Sequence, residues 1–218
     1  MKYFGRVSLA VIAFFSWTLL IFYYYYVHGN VDEIYVLVAI IYILVGWWLG
    51  KQYDKAKFYS EKDPLTQAYN RRYILEKLPK LFSTVDRRKN ESISVLVIDV
   101  DRFKEINDTF GHQKGDVVLR SIAATLRRNI RRGDYVIRWG GDEFLIVTPN
   151  TSKDNILPLI NRIERELSET SKQLSLTISI SIGVANYPQD STDFNELIKI
   201  ADNNMYLEKE KKKKSCSI

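Results

Sequence analysis

The chain has 218 residues, of which 46% are hydrophobic and 27% charged, with a single cysteine and a formal net charge of +6. That length fits one globular domain with some sequence to spare, and the lone Cys216 excludes an internal disulfide, in keeping with a reducing compartment. The basic balance suits nucleic acid, an anionic membrane surface or a triphosphate ligand alike, so charge alone does not choose a partner.

Nearly all of the first fifty residues are apolar or aromatic, whereas charges are spread through everything after Lys51. Val7 to Val27 carries no formal charge and as a helix spans about 30 Å, the thickness of a hydrocarbon core. Ile34 to Gly50 is slightly shorter and equally uncharged, and His28 to Glu33 supplies only a polar turn, so residues 1–50 are predicted to form a two-span transmembrane hairpin. Lys2 and Arg6 before the first span, and Lys51, Lys55 and Lys57 after the second, predict cytoplasmic termini in the plasma membrane. Tyr23 to Tyr26 and Trp47 with Trp48 fall at the two headgroup depths, where amphipathic rings are well accommodated. No small-residue cleavage site precedes the second span, which argues against a removed signal peptide. Gly46 and Gly50 form a GxxxG pair of the kind that lets two second spans pack closely. The outer turn is too small to fold as a sensor, so the sequence names no stimulus.

Lys51 to Lys62 is polar and free of helix breakers, a stalk that Asp63-Pro64 interrupts. Helical spacing of Ile74, Leu75, Leu78, Leu81, Phe82 and Val85 predicts a helix over Arg71 to Val85, against which Pro79 is a local objection. Ile93 to Val100 reads as a buried strand rich in β-branched residues. Gly115-Asp116 opens a further helical pattern to Ile130, with Val117, Val118, Leu119, Ile122, Ala123 and Leu126 on its apolar face. Strands are predicted at Tyr135 to Trp139 and Phe144 to Pro149, joined by a tight turn at Gly140-Gly141 that takes positive φ. A helix over Asp154 to Ser168, a long strand over Leu174 to Ala185 and a final helix from Phe194 to about Lys211 complete the pattern. Strands alternating with helices imply an α/β fold with helices covering a central sheet.

If the strand ending at Asp99 neighbours the turn carrying Asp142 and Glu143, three carboxylates crowd one sheet edge. Like charges raise one another's pKa values and call for a cation, and hard oxygen ligands select Mg2+ or Mn2+. Taken singly, these residues read equally well as the solvated polar groups of a hairpin.

Four segments in order, DPLTQAYNRR (Asp63 to Arg72), DVDRFKEINDTFGHQKGD (Asp99 to Asp116), RWGGDEF (Arg138 to Phe144) and SIGVA (Ser181 to Ala185), resemble the GGDEF family of diguanylate cyclases. The resemblance implies a central, mainly antiparallel sheet flanked by helices, the palm-like fold of nucleotide cyclases, with a catalytic domain over residues 63–214 and a tail over 215–218. It further implies an enzyme, anchored here by the two predicted spans, that condenses two GTP molecules into cyclic di-GMP as a homodimer, with two Mg2+ or Mn2+ ions per site. Asp99, Asp142 and the Val100 carbonyl match metal-holding positions, and Glu143 matches a second metal ligand or the base for the attacking hydroxyl. The role of Asp101 stays open. Asn107 and Asp116 match a guanine-binding pair, although by themselves they read as a helix-end residue and an N-terminal cap. Gly140, Gly141, Lys104, Lys209 and Lys213 match substrate-binding positions.

The closing stretch departs from the family pattern AK..GRN. This chain reads EKEKKKKSCSI, with Glu208 in place of a small residue, no glycine, and Lys213 where an arginine is usual. A lysine keeps the charge without the bidentate fork, and the tail also reads as a solvated helix end or a contact with anionic membrane lipid. Arg131 and Asp134 form an RxxD pair matching the family's inhibitory product site, which Arg162 completes from a neighbouring domain. The alternative function is a non-catalytic receptor for GTP or cyclic di-GMP. A nucleic-acid partner is not expected, since aromatic interleaving and a reading motif are both missing.

Overall fold

The computed structural model describes residues 3–86, 92–151 and 155–215; the expectations for Asp154 and Cys216 lie outside them. The chain divides into two compact units, Met1–Ser60 and Glu61–Ile218.

The first unit holds helix α1 (Phe4–His28) and helix α2 (Glu33–Glu61), the latter belonging to it up to Ser60. Both are long and apolar enough to cross a membrane, and their large side chains face outward, as a lipid solvent requires. α2 continues without a break through the polar segment after Gly50. The helices pack through small residues. An ideal Cβ on Gly50 would lie 2.5 Å from the Gly5 carbonyl oxygen, and one on Gly46 would lie 3.3 Å from the Ala13 Cβ. The Gly46–Gly50 face is therefore occupied by α1 of the same chain, not by a second copy, because the short turn returns α1 and α2 to each other first. Asp54 closes this interface by accepting the Gly5 N–H at 2.7 Å and pairing with Arg6 at 3.4 Å, a cap that α1 does not obtain from Tyr3.

The second unit is a five-stranded sheet in the order β1-β3-β4-β2-β5, built from β1 (Tyr69–Asn70), β2 (Ile93–Val100), β3 (Tyr135–Arg138), β4 (Glu143–Pro149) and β5 (Ile180–Tyr187). Only the short β1–β3 pair is parallel; β3–β4, β4–β2 and β2–β5 are antiparallel. Strand alternation divides the core in two. Leu96, Ile98, Phe144, Ile146, Ile180 and Ile182 pack with α4 (Phe103–Phe110), α5 (His112–Asn129) and α6 (Ile156–Leu174). Val95, Val97, Leu145, Val147 and Ala185 pack with α3 (Arg71–Asp86) and α7 (Phe194–Ser215). By the same alternation Asp99 and Glu143 face the α7 side.

Several elements differ from the sequence reading. Pro79 sits inside α3, on its exposed side, where water can satisfy the carbonyl that loses its helical partner, and Leu75 is exposed as well. Helix α4 was not anticipated, and α5 starts at His112, so Gly115 lies within its first turn. The predicted strand from Leu174 begins only at Ile180. Ser175 ends α6 in the left-handed region at φ 51°, and the Ser171 hydroxyl engages both the N–H and the carbonyl of Ile178. The alternation of Leu174, Leu176 and Ile178 records burial against the core, not strand pairing.

Candidate active site

The register of β2 and β4 sets Asp99 directly opposite Glu143, and the Val100 N–H donates to the Asp142 carbonyl at 3.3 Å. Directly opposed residues of an antiparallel pair share a face. The two acidic motifs, separated by more than forty residues in sequence, thus meet at one edge of the sheet. Burial pushes the Asp99 carboxyl above its ordinary value; Lys209 opposes the shift, while Asp142 and Asp101 add to it. Burial likewise raises Glu143, reinforced by Asp142, Asp99 and Asp202.

The Lys209 ammonium donates to Asp99 Oδ1 at 2.5 Å, so a positive charge from α7 stands against the carboxylate predicted to hold a metal. Glu143 leans over Gly140, where an ideal Cβ would lie 2.7 Å from its Oε2. No three Asp, Glu, His or Cys side chains converge into a ready metal cage among the described residues. The donor set nevertheless suits Mg2+, which is held by one or two carboxylates together with water and substrate phosphate.

Neither Gly140 nor Gly141 adopts positive φ. The connection between β3 and β4 is a wider loop in which Trp139 and Gly140 both donate to the Glu143 carbonyl, at 2.9 and 3.3 Å. A Cβ on Gly140 would displace the end of the Glu143 side chain, whereas a Cβ on Gly141 would meet open space.

Two bracing residues escaped the sequence reading. Arg138 donates to the Gly141 carbonyl at 2.7 Å and pairs with Asp63 at 3.1 Å, binding the Gly-Gly loop to the segment that follows α2. Burial acts against Asp63, but hydrogen bonds from Thr66 and the Arg138 charge hold its carboxyl below the ordinary value. The available signal was the D-x-x-T spacing, in which an Asp accepts the N–H three residues on, here at 2.8 Å. Asp101 accepts the hydroxyls of Ser179 and Ser181, each at 2.7 Å, and so ties the end of β2 to β5.

Asn107 projects from α4 toward α5. Its Oδ1 is buried and without a hydrogen-bond partner, and an ideal Cβ on Gly115 would stand 1.9 Å from it, which explains that glycine. Asp116 is half exposed and lies 3.8 Å from Arg120. Lys104 is exposed on the first turn of α4, and Lys213, also exposed, pairs with Glu210 at 3.0 Å.

On the far side of the sheet from Asp99, Arg131, Asp134 and Arg162 line one cavity of about 400 Å³ together with Thr148, Thr151 and Asn155. Arg162 therefore joins Arg131 within the same chain, where the sequence reading assigned it to a neighbouring domain; α6 packs against α5 and carries it there, bonded to Asn129. The Arg131 guanidinium donates to the Pro149 and Asn150 carbonyls and to Thr151 Oγ1 at 2.5 to 2.8 Å.

Residues 60–215 match the family described as diguanylate cyclase, GGDEF domain. The diguanylate cyclase DosC of Escherichia coli K12 is 40% identical over 154 residues, covering 67% of this chain and 32% of DosC, so the chain spans about a third of that relative. The GGDEF domain of YfiN from Pseudomonas aeruginosa matches with a TM-score of 0.64 at 35% identity, covering 69% of this chain and 89% of that domain. The coiled coil and GGDEF domain of DgcB from Caulobacter crescentus, in complex with c-di-GMP, matches with a TM-score of 0.67 at 25% identity, covering 80% and 93%.

Proposed function

The chain belongs to the GGDEF-domain family of diguanylate cyclases, and from that premise we propose that it is itself a membrane-anchored cyclase converting two GTP into cyclic di-GMP and two pyrophosphates. The observation that carries the reading is the register of Asp99 against Glu143, with Asp142 bonded across to Val100. In each half-reaction the 3′-hydroxyl of one GTP attacks the α-phosphorus of the other, an O–P bond forms, and the bond to pyrophosphate breaks. Glu143 receives the hydroxyl proton, and its upward-shifted pKa suits a base better than an ordinary carboxylate does. Asn107 and Asp116 answer the guanine edge with an amide and a carboxylate. Lys104, Lys209 and Lys213 meet the triphosphate, with Lys209 released from Asp99 as it does so.

Asp99, Asp142 and the Val100 carbonyl would hold Mg2+ or Mn2+ ions, two per site, which would neutralise charge on the triphosphate. One domain carries one nucleotide cradle, so two domains must face each other as a homodimer for the second bond to form. The basic flanks of the two apolar helices put both termini and the catalytic domain on the cytoplasmic side of the plasma membrane. The cavity of Arg131, Asp134 and Arg162 takes cyclic di-GMP as an inhibitor, its guanidinium groups matching phosphate and guanine acceptors.

The test is pyrophosphate release by the full chain in lipid nanodiscs with GTP and Mg2+, beside Asp142→Ala and Glu143→Ala. Release by the wild type that falls by at least about a hundredfold in both variants supports the proposal. GTP binding without release refutes it in favour of the receptor reading.

A further inference from the structure

β5 is the outermost strand of the sheet, so among the described residues the outward-facing groups of its backbone have no strand partner. Helix α7 runs antiparallel along it and supplies side chains in their place. Asn204 Nδ2 donates to the Val184 carbonyl at 2.9 Å, a Glu208 carboxylate oxygen accepts the Ile182 N–H at 3.0 Å, and Lys212 Nζ donates to the Ile180 carbonyl at 2.6 Å. Glu208 and Lys212 also pair with each other at 2.8 Å. The match has a geometric basis. Four helical residues rise about 6 Å and two strand residues about 6.6 Å, so a stripe at i, i+4, i+8 stays in step with alternate residues of a strand.

We infer that Asn204, Glu208 and Lys212 form an edge clamp that fixes the axial and rotational setting of α7 and thereby aims Lys209 at Asp99. Lys209 adjoins Glu208 and turns inward to β2, and the clamp's contacts at Ile180 and Ile182 bracket Ser181, the register partner of Asp99. Positions 208 and 212 are two of those at which the closing stretch departs from the family pattern, Lys213 being another. The departure installs a positioning device; it is not a degenerate end. The inference deepens the cyclase reading and rests on it, since Lys209 is the group that meets the triphosphate there.

The experiment compares wild type, Glu208→Ala and Glu208→Gln as full chains in nanodiscs. Three quantities are read: amide hydrogen exchange in the segment containing Ile182, the acylation rate of Lys209 by an amine-reactive ester without nucleotide, and kcat/KM for GTP. Loss of the carboxylate is expected to speed Ile182 exchange about tenfold, the equivalent of one hydrogen bond. Lys209 acylation rises in step, and kcat/KM falls about tenfold as the lysine loses its aim. Glutamine retains an acceptor for the Ile182 N–H and restores all three. Faster exchange with Lys209 acylation unchanged overturns the inference, because the contact would then be structural only. Failure of the glutamine rescue overturns it too. A wild type that releases no pyrophosphate refutes the cyclase reading alone, and the clamp is still decided by exchange and acylation. If Glu208→Ala does not fold, Lys212→Met removes one arm and must move exchange and acylation in the same direction for the inference to stand.

Discussion

Replacing Gly183 by alanine would insert a methyl group where α7 rests on β5. An ideal Cβ there lies 1.9 Å from the Ala201 carbonyl oxygen and 2.2 Å from the Met205 nitrogen. Both are backbone atoms, so no side-chain rotation relieves the clash. To bring the shorter contact to the 3.0 Å that real Cβ atoms respect, α7 must withdraw by about 1 Å. Overpacking of this kind costs about 1–3 kcal/mol, which lowers the melting temperature by about 3–10 °C for a chain of this size. The same withdrawal lengthens the 2.5 Å contact between Lys209 and Asp99 beyond hydrogen-bond range. A misplacement of about 1 Å at a reacting centre lowers turnover by about a hundredfold. Thermal unfolding and pyrophosphate release, measured on one preparation in nanodiscs, read the two effects separately. A Gly183→Ala protein with wild-type melting temperature and turnover would refute the close approach of α7 and the coupling of its position to the site.

Asp63→Asn tests the brace beneath the Gly-Gly loop. Because the Asp63 carboxyl is held below its ordinary value of 3.8, its contribution to stability is complete above that pH and is lost as pH falls through the lowered folded value. The variant should lose stability at neutral pH, by about 1–2 kcal/mol, and show a flatter acid limb below pH 4 in urea unfolding. Arg131→Ala should abolish inhibition by added cyclic di-GMP, read as pyrophosphate release against product concentration, while lowering stability by about 1 kcal/mol through the lost bonds to the Pro149–Thr151 segment. Asp54→Ala uncaps α1 and strands Arg6, and should destabilise the hairpin by about 2 kcal/mol, measurable as faster amide exchange at Gly5 to Val7.

β2 was legible to its end residues because a run of apolar and β-branched residues interrupted only by Ser94 and Asp99, and buried on both faces for most of its length, leaves a strand few alternatives. The two apolar helices were equally plain, since an uncharged run of that length has a single solvent to suit. The acidic motifs and their order also came from the sequence alone, as did the residues that crowd the sheet edge. Contacts over long sequence separations were another matter. Local periodicity predicted a strand from Leu174, but Ser171 and the left-handed Ser175 divert that segment before any neighbour can pair with it. The GxxxG face carried no mark of whether a second copy or α1 would fill it. Nothing local in KKKK or in Glu208 announces a clamp on a strand some thirty residues upstream; those charges become hydrogen-bond partners only because β5 lies at the sheet's edge and leaves its outer backbone groups unsatisfied. Residue type set which chemistry was available, and the strand order decided which groups would meet, because backbone groups and charges withdrawn from water take whichever partners the topology brings within reach.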